Sequence, residues 1–324
     1  MSAEFQVIDL DIPAEWAGQR LDVVMAKLLP QHSRTRIKAW IMAGEVQVGR
    51  GSGARPSDAV EAGARVRVRV TMAPRREDVL PEQIPVRRVF EDRDVWVIDK
   101  PVGLVVHPGA GNPRHTLQNA LLGMDASLAT LPRAGLIHRL DKDTSGLLMV
   151  ARTPEAYTSL SRQLLARTVS REYAAVCVGV MTGGGTIDEP IGRHRSDRLR
   201  MTVRQDGKPA VTHYRVLERF RGHTYLSVKL DTGRTHQIRL HLSHLHYPIV
   251  GDPVYGRRMN QPRGAGPDLI ALLRGFKRQA LHAGALAFDH PRSEKRISLT
   301  SPLPQDFEHL LRALRDDLET GDGR

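Results

Sequence analysis

Polar side chains are densest in residues 138–146 (HRLDKDTSG), between the apolar segments 136–137 (LI) and 147–150 (LLMV). A polar run tied to buried segments on both sides is a common position for binding and catalytic residues. The same composition is also typical of a capped turn that has no chemical role. Composition alone therefore leaves both interpretations open for this loop.

A second polar run, residues 231–239 (DTGRTHQIR), follows a β-rich segment and opens a helical pattern. Backbone N–H groups at the start of a helix favour anions. Arg234 adds a planar guanidinium that is suited to holding a carboxylate at two points. A third polar group, residues 171–173 (REY), stands at the start of a predicted strand. These three segments are the candidates for a functional site.

Parts of these runs also fit an aspartic protease, because residues 143–146 (DTSG) and 231–233 (DTG) resemble its paired triplets. Such an enzyme shares one proton between two carboxylates. Lys142 and Arg234 would instead favour the charged form of both carboxylates. We therefore reject this interpretation.

The second run and the residues after it contain four histidines, His236, His241, His244 and His246. They suggest a metal site on one helix. No Asp, Glu or Cys stands among them, within residues 236–246, to complete a coordination shell. Neither the phosphate-binding loop G-x-x-x-x-G-K-[ST] nor a Rossmann fingerprint is present. We therefore expect no metal and no small-molecule cofactor.

The chain as a whole is basic. Its 324 residues carry 48 Lys and Arg against 36 Asp and Glu, a formal net charge of +12. This charge predicts an anionic partner, with nucleic acid the first candidate. Aromatic residues make up 5% of the chain, which argues against a general single-strand binder built on stacked rings.

Cys177 is the single cysteine, which excludes an internal disulfide and a cysteine-based zinc site. Its apolar neighbours predict a buried strand, so a small core residue is a better interpretation than a nucleophile. No run approaches the roughly 18 apolar residues that a membrane span needs, and the first residues lack signal-peptide features. We therefore expect a cytoplasmic protein without a membrane partner.

Apolar spacing indicates the elements that must position these residues. Helices are predicted at 20–29, 33–44, 154–164 and 237–245, and strands at 46–48, 65–70, 95–98, 147–150, 173–180, 211–217 and 224–230. Because turns join strands as often as helices do, we predict an α+β fold with a mixed sheet, and not a doubly wound parallel one.

The first module resembles the S4 RNA-binding domain, in the order Arg20-Leu21-Asp22, residues 33–36 (SRTR) and residues 41–48 (IMAGEVQV). The resemblance implies a small α/β domain preceding the main one. In it, the second helix would present Arg34, Arg36 and Lys38 to RNA phosphates. On charge alone, these three residues could equally form a solvated helix face.

The later motifs resemble those of the pseudouridine synthase family that includes the ribosomal large subunit synthases A, C and D. The motifs are residues 138–146, 171–173, 232–239 and 281–283 (LHA). The resemblance extends over nearly the whole chain. It implies the pseudouridine synthase fold, which is a mixed, largely antiparallel central sheet with flanking helices. It also implies an isomerase that needs no cofactor, acting on 23S rRNA or the assembling large ribosomal subunit.

The resemblance also implies a role for each site residue. Asp141 would be the catalytic carboxylate and Arg234 its partner, while Tyr173 would stack on the uracil. Arg139 would help to flip the base, or would clamp a phosphate, and His138 would contact the RNA. Asp141 could attack covalently or could stabilise an oxocarbenium-like species, and the sequence does not choose between these routes.

An interpretation from another class is a non-catalytic rRNA-binding protein of ribosome assembly. It explains the charge equally well, but it gives no role to Asp141. The predicted division of the chain is an N-terminal extension (1–17), an S4-like domain (18–74), a linker (75–85), a synthase domain (86–305) and a C-terminal tail (306–324).

Overall fold

The computed structural model describes residues 5–29, 34–49, 53–71, 79–109, 111–197, 200–256, 262 and 264–321. The chain separates into two units, Met1–Asp78 and Val79–Arg324. Ser33, the first residue of the predicted second helix, lies outside what is described, as do the side chain of Arg36 and the linker residues 75–78. No helix of the described part is long and apolar enough to cross a membrane.

The first unit packs two helices against a small sheet. Its elements are β1 (Phe5–Asp11), α1 (Leu21–Leu28), α2 (Arg34–Met42), β2 (Val46–Val48) and β3 (Arg65–Thr71). The strand order is β1-β3-β2, with both pairs antiparallel. Apolar side chains of both helices and of β2 and β3 form one core, including Leu21, Met25, Ile37, Val46 and Val66.

Strand β1 falls within the segment that we predicted to be an N-terminal extension. It pairs with β3 along its whole length, so this segment is part of the first unit's sheet. Arg67 Nε lies 2.8 Å from Asp9 Oδ1, and Arg65 Nε lies 3.3 Å from Asp11 Oδ1. The alternation of acids and apolar residues in β1, opposite alternating arginines in β3, is the sequence signal that we missed.

The second unit is built on one large mixed sheet. Its strands are β4 (Arg87–Glu91), β5 (Val95–Lys100), β6 (Ser145–Ala151), β7 (Ser170–Val178), β8 (Gly185–Asp188), β11 (Val211–Arg219), β12 (His223–Leu230), β13 (Leu281–Asp289) and β14 (Arg296–Thr300), and a separate pair is β9 (Ile191–Arg193) and β10 (Met201–Val203). The order is β4-β5-β6-β13-β7-β12-β11-β8, with β14 beside β13. Only the β6–β13 pairing is parallel among those described. The predicted α+β class with a largely antiparallel sheet is confirmed.

Helices flank this sheet. They are α3 (Leu117–Met124), α4 (Pro154–Leu165), α5 (Gln237–His244), α6 (Pro267–Gly275) and α7 (Gln305–Gly321). Helix α4 begins as the sequence predicts, because the Thr153 side chain accepts a hydrogen bond from the Ala156 N–H. Helices α3, α6 and α7 were not predicted.

Helix α7 replaces the predicted C-terminal tail. Phe307, Leu310, Leu311 and Leu314 follow helical spacing and are buried in the core of the second unit. Their spacing was visible in the sequence, but the acidic character of the segment led us to treat it as a tail. Cys177 is fully buried in the same core, and burial raises the pKa of its thiol, as expected for a structural residue.

Candidate active site

The motif residues of the second unit converge on one cavity of about 520 Å³. Among the residues that line it are Arg139, Asp141, Arg171, Tyr173, Arg234, His236 and Arg239. The cavity therefore joins the loop before β6, the start of β7 and the segment from β12 into α5. All three polar runs singled out in the sequence meet here.

The loop that carries Asp141 is held beside β6. Leu136 forms a bridge with Val150, and the Met149 N–H donates to His138 Nε2 at 3.1 Å. The Thr144 N–H donates to the Asp141 carbonyl at 3.1 Å and closes a turn. These contacts fix the backbone around the Asp141 carboxylate.

Lys100, at the end of β5, stabilises the same loop through hydrogen bonds. Its buried ammonium donates to the carbonyls of Pro101, Leu104 and Lys142 at 2.8 to 2.9 Å. Burial lowers the pKa of Lys100 to about 7, while the charges of Asp143 and Asp141 oppose this shift. The contact with the Lys142 carbonyl ties β5 to the residue next to Asp141.

Arg239, in the first turns of α5, is the ion-pair partner of Asp141. Its Nη1 lies 3.0 Å from Asp141 Oδ2, while its Nε and Nη2 bind the two oxygens of Asp252 at 2.7 and 2.8 Å. Burial would raise the pKa of Asp252, but hydrogen bonds and charge from Arg239 hold it below its usual value. The guanidinium thus bridges a structural carboxylate and the cavity carboxylate.

Our assignment of Arg234 as the partner of Asp141 is therefore wrong. Gln237 accepts a hydrogen bond from the Arg234 N–H at 3.0 Å, which fixes the turn before α5. The Arg234 side chain is exposed, and its Nε donates a hydrogen bond to the Pro209 carbonyl at 3.1 Å. Arg234 lies at the rim of the cavity, whereas Arg239 lies inside it.

Tyr173 on β7 lines the cavity and is 6% exposed. Burial raises the pKa of its phenol, the charge of Asp141 raises it further, and Arg171 opposes the shift. The ring is therefore protonated near neutral pH and is a poor base. Its buried face is suited to stacking against a flat base, which is the role that the resemblance implies.

Arg139 and His138 are neighbours with different surroundings. Arg139 is exposed and lines the cavity, free to reach a nucleic acid. His138 uses Nε2 to accept the Met149 N–H, and burial together with the Arg171 charge lowers its pKa to about 3. A neutral His138 holds the loop, which is a structural contact that sequence reasoning did not anticipate.

His236 is a cavity residue that the sequence analysis considered only as a metal ligand. It precedes α5 in the left-handed backbone region, with a φ of 56°. Its Nδ1 lies 2.9 Å from Tyr255 Oη, which also accepts the Met201 N–H at 2.8 Å. Because the Tyr255 proton needs an acceptor, we assign the His236 proton to Nε2. A non-glycine residue in this backbone region beside a cavity is typical of a functional site.

Asp231 and His241, which entered the two rejected interpretations, have structural partners. Asp231 pairs with His213 Nε2 at 3.0 Å, so it does not form a shared-proton dyad. Both ring nitrogens of His241 are occupied, by Thr212 Oγ1 at 2.9 Å and the Glu189 carbonyl at 3.0 Å. His241 is therefore a structural residue.

In the first unit, Arg34 and Lys38 gather around a buried carboxylate. Asp22 lies 2.9 Å from Arg34 Nη2, 3.4 Å from Lys38 Nζ and 3.1 Å from Arg20 Nε. Burial by itself would raise the pKa of Asp22, yet hydrogen bonds from Arg20 and Arg34 lower it to about 2. About half of the Arg34 and Lys38 side chains stays exposed, at 51% and 47%.

Comparisons with known proteins match a domain in each unit of the chain. Residues 94–244 match the family model of RNA pseudouridylate synthases, and residues 19–66 match the S4 domain. The ribosomal large subunit pseudouridine synthase D of Xanthomonas campestris is 54% identical over 94% of this chain and 92% of its own length. The protein of that name from Pseudomonas aeruginosa is 53% identical over 95% and 96%.

A solved structure supports the same relationship. The human RNA pseudouridylate synthase domain containing 4 superposes with a TM-score of 0.55 at 28% identity, over 70% of this chain and 92% of that one. The sequence relatives, the matched domains and the sheet agree with one another. The chain belongs to the RNA pseudouridine synthase family and carries an S4 domain in its first unit.

Proposed function

We propose that this enzyme converts specific uridines of large-subunit (23S) rRNA to pseudouridine, using Asp141 as the catalytic carboxylate. The observation that carries the proposal is the placement of Asp141 in a basic cavity, held by Arg239 and facing the same space as Tyr173. The close relatives named as large-subunit synthases support the choice of substrate.

The reaction exchanges one bond for another within the same nucleotide. The N1–C1′ bond of uridine breaks, the uracil turns, C5 bonds to C1′, and the proton on C5 leaves while N1 is protonated. Asp141 compensates the positive character that the sugar acquires, either by covalent attack or by charge. No electrons are gained or lost overall, so the chain's own residues suffice.

The remaining residues bind and place the RNA. Tyr173 stacks on the uracil, and Arg139 fills the space that the flipped base leaves in the RNA, since its planar guanidinium can stack there. His138 acts by holding the loop that carries both Arg139 and Asp141. In the S4 domain, Arg34, Arg36 and Lys38 bind phosphates. The substrate is free rRNA or the assembling large subunit, and the site of action is the cytoplasm.

Tritium release tests the proposal. Pseudouridine formation frees the hydrogen on C5, so wild-type enzyme should release tritium from 23S rRNA labelled at uridine C5. Asp141→Asn should lose the release by roughly a thousand-fold or more while still binding the RNA. Asp143→Asn, which removes a carboxylate of the same loop outside the cavity, is the matched control and should retain the activity.

Two outcomes contradict the proposal. Tritium release by Asp141→Asn at the wild-type rate removes Asp141 from the chemistry. If the wild type binds rRNA but releases no tritium from rRNA or from assembling subunits, the chain is a binding protein of ribosome assembly.

A further inference from the structure

Arg171, the first residue of the REY motif, is a buried cation without a counter-charge. Its residue is 7% exposed, yet its Nε has no hydrogen-bond partner. Its Nη2 donates to the Asp231 carbonyl at 3.5 Å, which is a long contact. Among the described residues, no carboxylate forms an ion pair with it.

The other buried arginines of the described part are different. Arg239 is held by Asp141 and Asp252, and Arg278 binds both oxygens of Asp306 at 2.6 and 2.7 Å. Burying a guanidinium without an anion is costly unless something compensates it. Because Arg171 lines the cavity, the group that compensates its charge is expected to enter with the substrate.

The depth of Arg171 in the cavity indicates which part of the substrate compensates its charge. Arg171 and Tyr173 stand two residues apart on β7, so their side chains leave the same face of the strand. They are buried to the same extent, 7% and 6%, whereas Arg139 and Arg234 are exposed. A phosphate stays connected to the RNA outside, and a flipped base is the group that reaches the inner wall. The base that meets Tyr173 therefore also meets Arg171.

We infer that Arg171 donates hydrogen bonds to a carbonyl oxygen of the flipped uracil and stabilises the negative charge of the detached base. This inference rests on the proposed function. When the N1–C1′ bond breaks, its electron pair stays on the uracil and spreads onto O2 and O4. The sugar carbon, which loses that pair, is met by Asp141. Arg171 thus acts on the base while Asp141 acts on the sugar. The negative charge on the base disappears when C5 bonds to C1′, and the later loss of the C5 proton is matched by protonation of N1.

Gly233 has no side chain, and this leaves room for the guanidinium of Arg171. A Cβ at position 233 would lie 2.7 Å from Arg171 Nη1, and no other group besides this guanidinium lies close to it. The backbone of Gly233 is not in the left-handed region, so alanine is compatible with the local conformation. Gly233→Ala should therefore displace the guanidinium and leave the fold intact.

Two measurements test this role. One is single-turnover tritium release at saturating RNA, and the other is binding to the same 23S rRNA transcript at several salt concentrations. Arg171→Met keeps the side-chain length and removes every donor, so the rate should fall by about 10² to 10³-fold, as for loss of one donor to a developing charge. Affinity and its salt dependence should stay unchanged. Arg171→Lys should recover part of the rate, because it restores the charge without the planar fork.

Gly233→Ala should reduce the rate in the same way, and adding Arg171→Met to it should cause little further loss. Gly183→Ala is the matched control, because no atom lies within 4 Å of its added Cβ and its backbone is equally ordinary. Thermal unfolding of Arg171→Met should be no easier than that of the wild type, since the variant removes an uncompensated charge.

Three results would overturn the inference. Weaker binding with a lower salt slope and an unchanged single-turnover rate would make Arg171 a phosphate ligand. Wild-type rates in Arg171→Met would show that it meets no reacting group. An easier unfolding that accounts for the lost activity would make it structural. Absence of tritium release from the wild type is a separate result, since it counts against the proposed function itself.

Discussion

Arg239 determines where Asp141 stands, because one guanidinium is shared by two carboxylates. Asp252 takes Nε and Nη2 in a two-point contact and also accepts the N–H groups of Val254 and Tyr255 at 2.8 and 3.0 Å. Nη1 is then left to aim at Asp141. Asp252 therefore positions the arginine, and the arginine positions the carboxylate of Asp141.

Arg239→Lys tests this arrangement. A single ammonium cannot reproduce the planar fork that reaches both carboxylates, so the carboxylate of Asp141 should lose its fixed position. We expect the single-turnover rate of tritium release at saturating RNA to fall by about 10²-fold, the effect of a displacement near 1 Å, with little change in RNA affinity. Asp252→Asn should lower the same rate, since it loosens the far end of the bridge.

Arg234→Lys is the natural comparison, because it makes the same change in the same motif at the exposed rim. It should affect binding more than the rate. If Arg234→Lys lowered the rate strongly and Arg239→Lys did not, the pairing seen in the structure would not be the one used in catalysis.

At the level of residues, sequence motifs led to the correct loop and strand but not to the correct pairing. Arg234 and Arg239 belong to one motif, and the choice between them depends on the turn that Gln237 fixes and on Asp252, which lies outside the motif. Arg171 was noticed as part of a motif, but its lack of a counter-charge depends on what surrounds it in three dimensions.

At the level of elements, Gly146 is a point of close approach between β6 and β13. It lies at a φ of 109°, and a Cβ there would be 2.2 Å from the Ala283 carbonyl oxygen. Gly146 and Ala283 face each other in the parallel pairing that inserts β13 between β6 and β7. Close approach of backbones and a conformation outside the range of other residues both require glycine here.

Gly146→Ala should destabilise the second unit by about 3 kcal/mol, combining backbone strain with overpacking against a carbonyl that cannot move aside. Urea unfolding followed by tryptophan fluorescence measures this, since Trp96 lies in the core of that unit. Gly275→Ala, where nothing lies within 4 Å of the added Cβ, is the control and should cost nothing. Equal stability of the two variants would contradict the close approach.

Local patterns predicted α4, α5 and several strands because these elements carry their periodicity in a short stretch of sequence. The position of β13 depends on pairing with strands that lie far away in the chain, and no local pattern encodes that. Strand β1 and helix α7 had visible patterns, and their charged residues obscured them.

At the level of the whole molecule, the net charge of +12 is distributed unevenly. Acids at the C-terminus neutralise arginines of the second unit, since Asp317 pairs with Arg221 at 2.6 Å and Asp306 with Arg278. Several arginines line the cavity, and we expect their charges to face the substrate. They include Arg133, Arg139, Arg167, Arg171 and Arg234. The S4 domain supplies a second basic surface, whose exposed cations are organised around Asp22. We therefore expect the S4 domain to add RNA affinity separately from the chemistry in the second unit.

This separation predicts that removing residues 1–78 weakens RNA binding while the chemistry continues. Each phosphate contact that the S4 domain makes should contribute about 0.7 to 0.9 to the slope of log affinity against log salt, so the slope should fall by that amount for each lost contact. Single-turnover tritium release at saturating 23S rRNA should stay near the full-length rate, because every cavity residue lies in Val79–Arg324. Thermal unfolding of the shortened chain controls for its integrity, since the second unit keeps its own core. An unchanged salt slope would remove the S4 domain from RNA binding, and a lost rate at saturating RNA in a folded protein would show that the first unit contributes to the chemical step.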